Sequence, residues 1–226
     1  MRAFTSPNFV QWGPAVAGLR WFVFVFDWDT VFVANKATAF LYSPTSLCTR
    51  YMPCALQVRG GSNGTLELSG DAQIQCLSSA SCSSISIQGF GLTCKNNAQS
   101  AFRVEGSALS ALDVSFDGCR SDTDGGVIQA YDLAEVSIDG CNFTDVHSDG
   151  FGGAVAAYGA SLSVSNARLH NCTSRSGGGA VWASAFPDCF ATAQANSTRL
   201  YISSSWFSMC STGGCAPIIM LKVKKF

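Results

Sequence analysis

The chain has 226 residues, with 14 basic against 15 acidic side chains, a balance that leaves no electrostatic footprint for nucleic acid or an anionic membrane surface. Charged residues make up only 13%, against a usual ~25%. The polar surface must therefore come from Ser, Thr, Asn and Gly, which suit strands and turns better than helices. Eleven cysteines are many for a reducing compartment, and an odd count leaves at least one thiol unpaired or bonded to another molecule.

Residues 1–54 are expected to form an irregular N-terminal cap or a poorly ordered segment. Within it, WFVFVFDWDTVFV (21–33) places Phe22, Phe24, Phe26 and Trp28 on one alternating face, as a strand does. Its longest charge-free apolar run is six residues, against the ~20 needed to cross a bilayer. Arg20 interrupts the stretch that a cleavable secretion signal would use. A strand or cap over an open sheet end suits these residues better.

From 55 to 106 come ALQV, TLELSG, AQIQC, SISIQG and AFRVEG, short alternating segments broken by Gly and Ser. Between the first two lies GGSNG (60–64), a formal G-x-S-x-G with Ser62 in the nucleophile position. That motif needs a helix after it, and TLELSG reads as a strand, so a turn is expected.

Beyond 111 the chain repeats. FDGCRSDTDGGVI (116–128), FTDVHSDGFGGAV (143–155) and LHNCTSRSGGGAV (169–181) align without a gap, at offsets of 27 and then 26. Each opens on a large apolar residue (Phe116, Phe143, Leu169), followed three places on by Cys119, Val146 or Cys172. A fourth copy starts at Phe207, with Cys210 in the same place and Gly213-Gly214 arriving early. Ile138, Val164 and Ile202 each lie five residues before an opening apolar residue. The period is too long for a helix or heptad, and alternation inside it (EVSI, SLSV, RLYI) marks half-buried strands. Such units bury a continuous core only by stacking. Phe116, Phe143, Leu169 and Phe207 are then expected in one interior column, and Ile138, Val164 and Ile202 in another. The interval from Gly179 to Ile202 exceeds its counterpart from Gly153 to Val164 by 12 residues, so 183–199 is expected to leave the stack as an inserted loop. Phe186 and Phe190 make that loop a candidate for ligand contact.

Coils of this length resemble the right-handed parallel β-helix of the pectin-lyase-like fold. The glycine half resembles the GGA[ILV] repeats of polymorphic outer membrane proteins and their adhesin-like relatives, at 125–128, 152–155 and 178–181. In the other half, Cys119, Val146, Cys172 and Cys210 stand where that family's FxxN repeat has Asn. The resemblance implies an all-β, single-stranded right-handed parallel β-helix over 55–226, with clear repeats at 111–215. About seven coils would make a rod roughly 30–35 Å long at ~4.8 Å per rung. At the C-terminus, Lys222, Lys224 and Lys225 suit an edge guard.

Cys119, Cys172 and Cys210 share a slot with Val146 and read either as small buried hydrophobes or as bridge partners. Rungs ~5 Å apart allow Cys172–Cys210, whereas Cys119 and Cys172 stand two rungs apart. Cys48, Cys54, Cys189 and Cys215, in expected loops, are further disulfide candidates. There is no C-x-x-C pattern, and only His147 and His170 are available to complete a metal site. Four sequons, at Asn63, Asn142, Asn171 and Asn196, are glycosylation candidates. With the cysteines they point to an extracellular or cell-surface setting.

Asp122 and Asp149 fall in one slot on adjacent rungs, with Arg175 next in line and Asp124 and Asp145 close by. Paired carboxylates at this spacing suit a glycosidase acid and nucleophile. Asp122, Asp124 and Asp149 also make a weak Ca²⁺ set, and the same residues are ordinary turn formers. Two functions follow. One is an adhesive or structural scaffold that binds a polysaccharide, another glycan or a cell-surface protein along its side. The other is a polysaccharide lyase or glycoside hydrolase, as the pectin-lyase-like resemblance implies.

Overall fold

The computed structural model describes residues 22–28, 31–35, 54–60, 65–69, 73–77, 82–184, 198–213 and 219–222. Among them all regular structure is β, and every strand pairs in parallel with its counterpart one turn away. The chain is a parallel β-solenoid. Two of its sheets hold seven strands, one holds six and one holds four. The coil count differs from the seven expected: four turns carry a strand in every sheet, and seven strands are reached in two sheets only by including Phe22–Trp28 and Val31–Asn35 from the expected cap. One such turn runs through Glu135–Asp139, Asn142–Thr144, His147–Ser148 and Val155–Tyr158.

The periodicity of the sequence is the periodicity of the stack. Phe116 pairs with Phe143, Phe143 with Leu169 and Leu169 with Phe207. Ile138 pairs with Val164 and Val164 with Ile202. Both expected columns form, and their members in the middle turns are buried. Phe116 and Phe143 stack with ring centroids 4.7 Å apart, and Phe102 meets Phe116 edge-on at 6.2 Å. Of the loop expected at 183–199, residues 185–197 lie outside the described residues, and Ala183, Ser184 and Arg199 belong to the flanking strands. Two residues link Tyr158 to Ser161, whereas fourteen link Ser184 to Arg199 at the same registers.

Strands this short must turn sharply, and the corners use left-handed backbone. Gly118, Asp145, Asn171 and Met209 occupy one corner on successive turns, with φ of +65, +54, +51 and +53°. Asp113, Gly140, Asn166 and Ser204 occupy another. Gly, Asn and Asp tolerate this region best, which accounts for six of the eight. The Gly-Gly pairs serve two separate needs. The first glycine (Gly125, Gly152, Gly178) has φ near +60°. The second (Gly126, Gly153, Gly179) has no room for a Cβ, which would strike the carbonyl oxygen of Gly153, Gly179 or Ser211 on the next turn.

At the N-terminal side, Phe22–Trp28 pairs in register with Cys54–Gly60, and Val31–Asn35 with Thr65–Ser69. Two segments of the expected cap thus continue the seven-stranded sheets. Strands flank 61–64 on both sides, so no helix follows Ser62.

Phe143→Ala is expected to cost ~3–5 kcal/mol in urea unfolding, because the turns on either side hold their spacing and cannot close the gap. Gly153→Ala should destabilise through a backbone clash, while Gly213→Ala, whose added Cβ would lie 3.1 Å from the nearest atom, should cost less. Equal costs at the two glycines would contradict the close-approach account.

Candidate functional site

The short four-stranded sheet and the bend that follows it gather the polar chemistry of the stack. Arg120, His147, Thr173 and Ser211 are register partners, as are Ser121, Ser148, Ser174 and Thr212. The three serines are buried, and each keeps a local partner: Ser121 bonds Thr123, Ser148 donates to the Phe151 carbonyl and Ser174 to the Gly177 carbonyl. These hydroxyls close the bend that precedes each Gly-Gly. The next position carries Asp122, Asp149 and Arg175 on consecutive turns, as expected from the alignment.

The charges there interlock. Arg120 Nη2 lies 3.4 Å from both Asp149 oxygens, and its Nε lies 3.8 Å from Asp122 Oδ1. His147 Nε2 donates to Asp149 Oδ1 at 2.8 Å, which leaves Nδ1 to accept from the Thr173 hydroxyl at 2.8 Å. Thr173, His147 and Asp149 therefore form a hydroxyl–imidazole–carboxylate relay across two turns. The hydrogen bond from His147, helped by Arg120 and Arg175, holds the Asp149 carboxyl below the usual carboxylate range.

The other acidic residues lie elsewhere. Asp124 turns toward the neighbouring sheet, accepting from the Phe151 backbone amide at 2.7 Å and the Tyr158 hydroxyl at 2.9 Å. Gly150 leaves room for that carboxylate. Asp145 sits at a different corner, where Asn171 Nδ2 donates to it at 2.6 Å. The Ca²⁺ set of Asp122, Asp124 and Asp149 is thus not assembled: Asp122 and Asp149 share Arg120, and Asp124 points away. Among the described residues no three His, Cys, Asp or Glu side chains are grouped to hold a metal ion.

Beside this ladder, the outward face of the six-stranded sheet is aromatic. Tyr131 stacks on Tyr158 at 5.4 Å, Phe151 on Trp182 at 4.2 Å, and Arg103 lies 5.5 Å from the Tyr131 ring centre. Burial, then the nearby Asp124 carboxylate, pushes the Tyr131 phenol up to about 12. The one repeated signal for this cluster is Tyr131 over Tyr158 at the repeat offset; Phe151 and Trp182 have no aromatic counterpart at their positions on the other aligned turns.

The cysteines divide differently from the expectation. Cys94–Cys119 and Cys76–Cys82 are the disulfides among the described residues, and neither pair was among the candidates. Cys119 is buried as expected of its slot, but it is bonded to the preceding turn. Its partner Cys94 stands one place out of that slot, in a shorter turn that the alignment does not reach. Cys172 and Cys210, read either as small buried hydrophobes or as bridge partners, are buried free thiols. Asn142 and Asn171 are exposed, Asn142 on a strand and Asn171 at a left-handed corner. Asn63, Asn196, Phe186, Phe190, Cys48, Cys189 and Cys215 lie outside the described residues, as does the Cys54 side chain. No described helix is long and apolar enough to cross a membrane.

Comparison of the chain with models of protein families, with curated proteins and with solved structures finds no match.

His147→Gln is expected to move the Asp149 titration, followed by carboxyl carbon NMR, upward toward its ordinary value. Because the folded-state value is depressed, the stabilisation it brings is complete above the unfolded value of ~3.9 and fades as pH falls below it. Native protein should therefore lose more stability than His147→Gln on acidification through that range. An unmoved Asp149 titration would contradict the relay.

Proposed function

We propose that the protein is a secreted or cell-surface solenoid that binds a glycan or protein partner along its side, without catalysis. The observation that carries this reading is the wiring of Asp122 and Asp149. A glycosidase pair needs one carboxyl raised so that it can donate a proton. Here Arg120 lies between the two, and Asp149 is held ionised by His147 and Arg120. That ladder is built to present fixed charges and hydrogen-bonding groups in rows ~4.8 Å apart, a spacing that suits extended ligands. The adhesin-like and pectin-lyase-like resemblance of the glycine repeats supports the same class. The disulfides and exposed sequons agree with an oxidising compartment.

One observation favours the enzymatic alternative, a carbohydrate-active hydrolase. The Thr173–His147–Asp149 relay has the connectivity of a nucleophile, base and orienting acid. A glycan-array screen combined with a reducing-sugar release assay separates the two readings. Binding without sugar release is expected, weakened about tenfold or more in Arg120→Ala, as for a lost charge-assisted contact. Sugar release by the native chain that is lost in His147→Gln would establish the enzyme instead.

A further inference from the structure

The slot that holds Cys119, Val146, Cys172 and Cys210 runs up the interior of the stack. At its N-terminal end Cys119 is already bonded across one turn to Cys94, with Cα atoms 4.6 Å apart. At its C-terminal end, Cys172 and Cys210 repeat the juxtaposition as thiols. His170 pairs with Ser208 and Thr173 with Ser211, so the two cysteines occupy matching positions on adjacent turns. The Ser211 amide donates to the Cys172 carbonyl at 3.0 Å, locking the backbones at that height. Parallel rungs stand ~4.8 Å apart, within the ~4.4–6.8 Å Cα range of a disulfide. Val146 separates this pair from Cys119.

We propose that Cys172 and Cys210 are a redox modification site, a dithiol that closes into an inter-turn disulfide by exchange with a low-molecular-weight disulfide. Cys210 is the attacking sulfur. It is the less buried of the two, at 7% exposure against none for Cys172. It lies in the last described turn, where the four-stranded sheet ends at Ser211–Thr212. Its interaction with the neighbouring Cys172 thiol lowers it below the ordinary thiol range, which favours the thiolate on this sulfur over Cys172. Its attack breaks the S–S bond of the small disulfide, expels one small thiolate and leaves a mixed disulfide on Cys210. Cys172 then gives up its proton and attacks the Cys210 sulfur, expelling the second small thiolate. Two protein thiols are oxidised, one small disulfide is reduced to two thiols, and no other reactant is needed. The product ties the last turn to its neighbour through a loop of 38 residues.

Cys141 is the internal control. It is also buried and free, and burial pushes it up to about 11, but Val114 and Ala167 occupy the matching positions on the adjacent turns, so no thiol faces it.

The test treats the purified full chain with a phosphine reductant, then with oxidised glutathione, traps remaining thiols with N-ethylmaleimide in denaturant, and maps unreduced peptides by mass spectrometry. The expected result is a Cys172–Cys210 linked peptide, with both alkylated forms lost in parallel and Cys141 still alkylated. Cys172→Ser should stop at the first step, leaving glutathione on Cys210. Full alkylation of Cys172 and Cys210, glutathione retained on Cys210 of the native chain, or Cys210 linked to any other cysteine would overturn the proposal.

Discussion

The fold depends on one spacing constraint: every residue in a regular turn must lie one parallel hydrogen-bonding distance from its counterpart in the next. The tightest enforcement is at the second glycine. Gly126 donates to the Gly153 carbonyl at 3.0 Å and Gly153 to the Gly178 carbonyl at 3.1 Å, with no room for a side chain between. The strands that follow pair at offsets of 27 and then 26, Ile128 with Val155 and Val155 with Val181, and everything else in the turn is carried into register with them. Apolar residues fall over apolar residues, and Phe143 is sandwiched between Phe116 and Leu169. The same rule places the buried serines Ser121, Ser148 and Ser174 over one another, so each bend is built the same way. Burial of a continuous core is the consequence of stacking rather than the property of any single turn.

The constraint also explains what was legible in the sequence. Columns defined by large apolar residues and by Gly-Gly could be read directly, because nothing but stacking requires those residues at that period. The serine of each bend stood in plain view at the sixth position of all three aligned segments, yet a small polar residue in a Ser-rich chain carries little signal. Cys94–Cys119 was hidden for a different reason. The turn before Phe116 is 24 residues long, as Leu92 pairs with Phe116, so its bridge partner lies one place out of line with the later repeats. The aromatic face was legible only in Tyr131 over Tyr158, because the other outward column varies: Gln129, Ala156 and Trp182 occupy it.

Stacking likewise turns single side chains into ladders. Arg120, His147 and Thr173 are register partners in the short sheet, and Asp122, Asp149 and Arg175 follow them. Interleaving of opposite charges offsets like-charge repulsion between turns, and it leaves Asp149 ionised rather than poised to donate a proton. In the interior, the same periodicity sets the free thiols Cys172 and Cys210 on adjacent turns, while Cys119 is bonded to Cys94, one place out of the slot.

The central claim is the register of the interior columns, and side-chain NOEs in methyl- and aromatic-labelled protein test it most directly. The account predicts that the Phe143 ring contacts both the Phe116 ring and the Leu169 methyls, while Val164 methyls contact those of Ile138 and Ile202. Phe143 without either neighbour, or Val164 contacts to the Phe143 column in place of Ile138 and Ile202, would contradict it.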